Sequence, residues 1–415
     1  MTLEPQAQET GAKSSPETPA APSRFNRVMK SIFSPDAGTI AGAIVLALLI
    51  GALLVVFFNA QVQETLSYFF ARPSDFFAAA GTAFSGFFTS LIRGSLFDWQ
   101  ASTAAGMFAP ITETLVFATP LIISGLAITV AFRAGLFNIG VQGQLIFGAI
   151  FAAIVGVNLD LPPVIGLIVA ILAAVIGGAI WGAIPGYLKA RVGANEVIVT
   201  IMLNTIAFQF LNRLLQLPIL IGDGLPSKSI QINENDWYPP LLGSSYRLHA
   251  GFIVALLAAV FVWWLLERST FGFELRAAGE NPSAAATAGI NVNRVIFTTM
   301  VISGALAGLA ATAPVLGTEH FLTNGTAGSF GFDAITVALL GRSRPLGTVL
   351  AGLLFGALNA GGSTMQASAN IPIDIVQVTQ AVIVLLIAAS EARKYFKAKK
   401  AASQAVSASA KGASK

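Results

Sequence analysis

Residues 164–187, VIGLIVAILAAVIGGAIWGAIPGY, form the stretch that decides the fold. It contains no charged side chain, and it exceeds the roughly 20 residues that a helix needs to cross a bilayer. Gly178, Gly182 and Gly186 recur at every fourth residue. In a membrane, small residues at this spacing let two helix backbones approach closely. The stretch therefore predicts a transmembrane helix that packs tightly against a neighbouring helix.

Apolar stretches of similar length recur on both sides of this one. We place further transmembrane helices near residues 38–58, 110–131, 140–157, 196–217, 249–266, 294–316, 346–362 and 374–391, and a half-length or tilted helix at 331–341. The composition agrees, because 55% of the 415 residues are hydrophobic and only 11% are charged, whereas soluble domains carry about 25% charged residues. The sequence therefore predicts an all-α polytopic membrane protein with about ten transmembrane helices.

The basic residues divide unequally between the two sides of this predicted bundle. Of the 24 Lys and Arg residues, only five fall on one side: Arg72, Arg93, Arg213, Lys228 and Arg247. Because cytoplasmic loops carry the excess of Lys and Arg, we expect both termini on the cytoplasmic side of the cell membrane. Three parts follow: a disordered tail at 1–36, a transmembrane domain at 37–391 and a basic tail at 392–415. Beside a membrane helix, basic tails indicate orientation rather than nucleic-acid binding.

Two long segments are predicted on the outer side. Residues 59–109 include FFAAAGTAFSGFFTSLIRGSLFDW at 76–99, which we expect to lie flat as an interfacial helix with its Phe side chains in lipid. Residues 218–247 contain Trp237 and Tyr238, as is typical of an outer loop that ends at an aromatic belt.

Several kinds of chemistry are excluded by what the sequence lacks. Without cysteine, and with only two histidines far apart in sequence, there is no metal motif and no disulfide. No G-x-x-x-x-G-K-[ST] loop occurs, so the chain has no phosphate-binding loop of this type for ATP. The sequence also lacks the HExxH and GxSxG motifs of hydrolases. We therefore expect a chain that is not itself an enzyme and binds no cofactor.

Polar residues within the predicted spans are the candidates for a substrate pathway, because burying them in lipid is costly. Two interpretations stay open for each residue: a contact with a transported substrate, or a structural contact between helices. Glu113 and Asp333 are acidic, and they lie near the outer ends of their helices. The remaining candidates are Asn138, Gln142, Gln144, Asn204, Gln209, Asn359 and Gln366.

Residues 271–290, FGFELRAAGENPSAAATAGI, differ from the apolar runs on either side, since they are polar, charged and rich in small residues. Asn281-Pro282 predicts the start of a helix, because proline is favoured in the first turn. The alanines from Ala284 to Ala288 permit close approach by another protein. We therefore expect this cytoplasmic segment to bind a soluble partner.

These stretches together resemble the permease subunits of bacterial ABC importers, in the branch that includes ribose, branched-chain amino acid and nucleoside permeases. Residues 276–290, RAAGENPSAAATAGI, are similar to the cytoplasmic segment that docks on the ATPase. The resemblance to nucleoside permeases rests on ETLVFATPLIISGLAITVAFRAGLFNIGVQGQ at 113–144, NEVIVTIMLN at 195–204 and GFDAITVALLGRSRPLGTVLAGLLFGAL at 331–358. Met365-Gln366 and Ile371-Pro372 also fit.

The resemblance implies a coupling segment at 271–292 whose functional residues are Arg276, Glu280, Asn281, Pro282, Ala285 and Gly289. The wider importer pattern is Glu-Ala-Ala, three residues and then Gly, and here Ser283 replaces the Glu. The implied partners are a cytoplasmic ATPase that binds ATP and Mg, a second permease subunit, a surface lipoprotein that captures substrate, and a nucleoside as substrate.

Three alternatives stay open. The same type of permease carries ribose, other sugars or amino acids in related systems, and few residue changes separate these substrates. An ion-coupled carrier is disfavoured by the scarcity of ionisable residues across the helices. A channel-like protein without coupled transport would need no docking segment.

Overall fold

The structure is a computed structural model that describes residues 35–221, 227–369 and 371–390. Most of the predicted tail at 1–36 and all of that at 392–415 lie outside these residues. The helices are α1 Pro35–Phe58, α2 Ala60–Leu66, α3 Pro73–Ser95, α4 Ala104–Arg133, α5 Val141–Asn158, α6 Ile165–Tyr187, α7 Glu196–Leu214, α8 Gly251–Arg268, α9 Thr270–Glu280, α10 Pro282–Thr287, α11 Val292–Thr312, α12 Phe330–Leu340, α13 Pro345–Ala369 and α14 Asp374–Ser390.

The predicted all-α membrane fold is confirmed. Nine described helices are long and apolar enough to cross a membrane, and α12 and α14 are shorter apolar helices. Every span predicted from the sequence corresponds to a helix with similar bounds, including the half-length helix at 331–341, which is α12. No strand forms within the three described ranges, where only isolated bridges occur.

Helix α4 is the central element of the bundle. All residues from Ala118 to Ala131 are buried, on every side of the helix. A helix that is apolar all round can be buried completely, and here α13, α11, α12 and α8 surround α4. The central position of α4 places its opposite ends, near Glu113 and Arg133, at opposite ends of the molecule.

Glycine allows three helices to meet beside this core. A Cβ on Gly148 of α5 would clash with Gly308 of α11, and a Cβ on Gly308 would clash with the backbone of Ala174 in α6. Gly178 and Gly182 continue the same seam along α6 against α11. The tight packing that the glycine spacing predicted is therefore present, and α6 and α11 run antiparallel along it.

Contacts between loops define two ends of the bundle. At one end, which we call the basic end, Arg133 Nε donates to the carbonyl oxygen of Ser343 at 2.8 Å, and Gly135 lies against Gly279. At the other, which we call the opposite end, Arg247 and Glu113 form an ion pair at 3.0 Å. Arg133 and the loop at 342–344 thus lie at one end and Arg247 at the other, as the division of the basic residues indicated for these positions.

Helix α3 was not among the transmembrane helices predicted from the sequence. Residues 73–95 form a 23-residue helix that is, by length and composition, a further candidate membrane span, and its predicted interfacial placement stays a prediction. One face of its C-terminal half is buried, because Leu91 and Gly94 lie against Gly361 and Thr364 of α13. Its N-terminal half exposes Phe77, so the expected contact of Phe side chains with lipid stays a prediction for that half.

Candidate functional site

The connection between α4 and α5 enters the interior of the bundle. Asn138, in this connection, is buried, and its Nδ2 donates to Ser303 Oγ of α11 at 2.8 Å and to Gln144 Oε1 at 3.0 Å. Its Oδ1 accepts the N–H of Gly140 at 3.0 Å. Irregular backbone at membrane depth is tolerated only where the protein satisfies its polar groups, and Asn138 does this here.

Asn204 of α7 supports the same connection from the other side. Its Oδ1 accepts the N–H of Gly143 at 2.8 Å, and its Nδ2 donates to the carbonyl oxygen of Ile139 at 2.9 Å. These bonds satisfy backbone groups at the start of α5, where no intrahelical partner exists. Asn204 thus holds α7 to the start of α5.

Gln142 has the equivalent role for the half-length helix α12. Its Oε1 accepts the N–H of Gly331 at 2.9 Å, and its Nε2 donates to the carbonyl oxygen of Gly328 at 2.8 Å. Helix α12 therefore begins inside the bundle, beside the start of α5. For Asn138, Gln142, Gln144 and Asn204, the hydrogen bonds favour a structural role over contact with a substrate.

The other predicted pathway residues are not brought together. Asp333 Oδ2 accepts the Ser329 hydroxyl at 2.6 Å in the first turn of α12. Asn359 Oδ1 accepts from Gln380 Nε2 at 2.8 Å and links α13 to α14. Gln366 is exposed near the end of α13, and Gln209 bonds to Asn212 on α7. Their roles in a pathway stay predictions.

Glu113 lies beside a pocket at the opposite end of the bundle. The pocket has a volume of about 90 Å³, and α4 forms one wall with Val116, Phe117 and Pro120. Helical spacing places Glu113 on this same face. Its ion pair with Arg247 joins α4 to the loop before α8, beside the pocket. Among the predicted pathway residues, Glu113 is thus the one at a cavity that reaches the surface.

Sequence reasoning did not assign the polar residues that line this pocket, which are Arg247, His249, Thr318 and Glu319. Pro314 and Gly317 interrupt the preceding apolar span, and breaks of this kind in a hydrophobic segment point to binding sites in transporters. This signal was present in the sequence. The sequence did not reveal that residues 247–249 fold onto the segment around Pro314 and Gly317.

The predicted docking segment forms two helices at the basic end. Asn281 Oδ1 accepts the N–H of Ala284 at 3.0 Å and so caps α10, whose first residue is Pro282. Within α10 only Ala285 is buried, at 4% exposure, and the remaining residues face solvent. The structure therefore presents a short capped helix with small exposed side chains.

The flanking residues hold α10 in place. Gly289 has a φ of +88°, a conformation that favours glycine, and the N–H of Ile290 closes the turn on the Ala285 carbonyl at 3.0 Å. Arg276 of α9 is half-buried, Glu280 is exposed, and Gly279 lies against Arg133 and Ala134 at the end of α4. Movement of α9 and α10 would therefore bear directly on the central helix.

Comparison with known proteins gives consistent matches. The family described as the permease component of branched-chain amino acid transport systems matches residues 110–389. The guanosine ABC transporter permease protein of Bacillus subtilis is 44% identical over 288 residues, which cover 68% of this chain and 82% of that protein. The nucleoside ABC transporter permease protein NupB of Lactococcus lactis is 35% identical over 296 residues, 69% of this chain and 81% of that protein.

A third relative has another substrate in its name. The glucose ABC transporter permease protein of Haloferax volcanii is 36% identical over 296 residues, which cover 69% of this chain and 78% of that protein. No solved structure matches the chain.

Proposed function

This chain belongs to the family of branched-chain amino acid transport system permease components, and we propose that it is the membrane-spanning permease subunit of an ATP-driven importer for nucleosides. The observation that carries this proposal is the similarity over most of the transmembrane domain to permeases named for guanosine and nucleosides. As a family member with nine candidate spans among its described residues, the chain is a membrane transport subunit.

The exposed helix α10 is the proposed contact with the ATPase. Its capped start and small side chains suit insertion into a cleft, and Arg276 and Glu280 flank it as candidates for polar contacts. ATP and Mg would be bound by the partner, since the sequence carries no phosphate-binding loop. This assignment makes the basic end cytoplasmic, as its excess of Lys and Arg also predicts.

Nucleotide binding on the partner would move α9 and α10, and through Gly279 it would act on the end of α4. A ligand shifts a conformational equilibrium only by binding one state better than the other. The partner would thus bias the bundle between outward-open and inward-open states. A second permease subunit would complete the path, and a lipoprotein would deliver substrate to the opposite end.

A nucleoside is compatible with the chemistry of the bundle, because a mostly neutral solute needs few charged contacts. A sugar is the second candidate, and the similarity to a glucose permease supports it. Amino acids are less well supported, because a charged substrate would need charged partners along its path.

A pull-down in mild detergent, combined with uptake assays in intact cells, tests the proposal. We expect a tagged chain to copurify with an ATPase, and we expect ATP-dependent uptake of labelled nucleoside that unlabelled nucleosides, but not sugars, inhibit. An ATPase with sugar-inhibited uptake would replace the substrate and keep the importer. Uptake that survives ATP depletion and stops with an uncoupler, without an ATPase, would refute the importer.

A further inference from the structure

The pocket at the opposite end lies where two irregular segments meet the central helix. Ala313, Pro314, Thr318 and Glu319 form the wall that faces α4, and Phe330, the first residue of α12, also lines it. Since α12 begins at membrane depth, the pocket lies above the N-terminus of a half-length helix. Transporters commonly bind substrates at such interrupted helices.

The wall opposite α4 has an unusual backbone. Residues 313–319 follow α11 as a π-helical turn, and His320 then adopts a φ of +60° although it is not glycine. His320 stacks on Trp237 at 3.8 Å between ring centroids, which holds this conformation. Strained backbone persists only where the surrounding structure maintains it. Such residues, like π-helical turns, are frequent at functional sites.

His249 supplies a hydrogen-bond donor with no partner. The ring is 2% exposed, and its Nδ1 accepts the N–H of Gly251 at 3.2 Å. In the neutral ring the proton is therefore on Nε2, which is buried without a partner among the described residues. Burial, with smaller contributions from His320 and Arg247, lowers the pKa of His249 to about 4, so the ring is neutral at physiological pH.

Glu319 supplies an acceptor. Its Oε2 accepts the hydroxyl of the buried Thr326 at 2.8 Å, which fixes the carboxylate and leaves Oε1 for another donor. Phe117 and Phe330 add aromatic faces, and Arg247, with 59% of its side chain exposed, lies at the mouth. The pocket thus combines a carboxylate acceptor, two aromatic side chains and the buried ring of His249.

We propose that this pocket receives the base of the transported nucleoside, with Glu319 reading the hydrogen-bonding edge of the ring. The inference rests on the proposed function and adds a specificity site to it. A volume of about 90 Å³ suits one planar heteroaromatic ring and leaves the sugar outside, toward Arg247 and Glu113.

Glu319→Gln tests the inference because it exchanges an acceptor for a donor. The amide oxygen can keep the bond from Thr326, and the amide N–H₂ then faces the ring. We expect the ratio of inosine uptake to adenosine uptake to fall about tenfold or more, because inosine presents a ring N–H where adenosine presents a ring acceptor. The assay uses cells that express the complete transporter, with uptake normalised to the amount of this chain in the membrane.

Glu234→Gln is the matched control, since Glu234 is an exposed carboxylate in the loop before α8, which also carries Arg247, and it does not line the pocket. An unchanged uptake ratio in Glu319→Gln, or an equal loss for both nucleosides, would overturn the base-reading role. Should Glu319→Gln not reach the membrane, Val116→Phe fills the pocket instead. We then expect purine uptake to fall more than pyrimidine uptake, and equal losses would overturn the inference.

Nucleoside uptake by the wild-type chain distinguishes the proposed function from the proposed role of the pocket. Nucleoside uptake by the wild type with an unchanged ratio in Glu319→Gln would refute only the pocket. Absence of nucleoside uptake by the wild type would refute the proposed function, and the assigned ligand of the pocket with it.

Discussion

Asp236 is a carboxylate that the fold buries without a hydrogen bond. The residue is 1% exposed and lies against Gly156 and Gly166, and neither oxygen has a partner among the described residues. Burial of a charged group is costly. This burial, together with the charge of Asp160, raises the pKa of Asp236 above its ordinary value of 3.8. The folded state therefore binds this proton more readily than the unfolded state.

The sign of the pH dependence follows from this difference. Where the folded state holds more protons, stability decreases as pH rises. We expect Asp236→Asn to unfold at a higher temperature than the wild type at pH 7, and we expect this difference to shrink as pH falls toward 4. Thermal unfolding of the purified chain in detergent would measure it. Glu234→Gln, an exposed change nearby, should show no such trend, and an equal trend in both variants would refute the explanation.

The polar residues show what sequence reasoning can reach at this scale. Asn138, Gln142 and Asn204 were identifiable as polar groups within apolar spans, but their role could not be decided. Their hydrogen-bond partners, such as Ser303 and Gly331, come from distant parts of the chain. Local patterns do not encode such partners, and for the same reason His249 and Glu319 were not recognised as neighbours.

At the level of the helices, the glycine seam between α6 and α11 carries a stability prediction. A Cβ on Gly308 would collide with the Ala174 carbonyl oxygen and with the backbone of Gly178. Backbone atoms cannot rotate away, so the helices would have to separate. Overpacking of this kind typically costs about 1–3 kcal/mol. We expect Gly308→Ala to lower the unfolding temperature of the purified chain and its yield of monodisperse protein.

Gly42→Ala is the matched control in α1, because no atom lies within 4 Å of the Cβ it would add. Replacing an unconstrained helical glycine with alanine stabilises a helix by about 0.5–1 kcal/mol. Gly42→Ala should therefore be neutral or slightly stabilising. An equal effect of the two substitutions would mean that helix propensity, and not close approach, determines the outcome.

Helix α3 shows the limit of sequence reasoning for elements. The strongly apolar spans were placed to within a few residues, because length and hydropathy suffice for them. Residues 73–95 are less apolar and carry Asp75 and Arg93, so their composition suited an interfacial segment equally well. Leu91 and Gly94 pack on α13, and such tertiary contacts cannot be inferred from the sequence of residues 73–95 alone.

For the molecule as a whole, the pocket and the proposed docking segment lie near opposite ends of the central helix. α4 carries Glu113 and the pocket near one end, and it contacts α9 through Gly279 at the other. The segment predicted to dock a partner contains an exposed helix at the basic end, while its cytoplasmic side and its partner stay proposals. Since α4 is buried on all sides, a shift imposed at one end is resisted by packing and can be transmitted along the helix.

Ala286→Arg tests this arrangement at its proposed input. Ala286 is exposed on α10, so the substitution should leave folding and membrane insertion unchanged. If α10 enters a cleft on an ATPase, an unpaired guanidinium buried there would cost about 3–5 kcal/mol. We therefore expect loss of ATPase copurification and of uptake. Val192→Arg places the same charge on a side chain that is 71% exposed and lies outside α10, and it should retain both activities. Normal uptake by Ala286→Arg would place the ATPase contact elsewhere, whereas equal losses in both variants would assign the effect to added charge at the basic end.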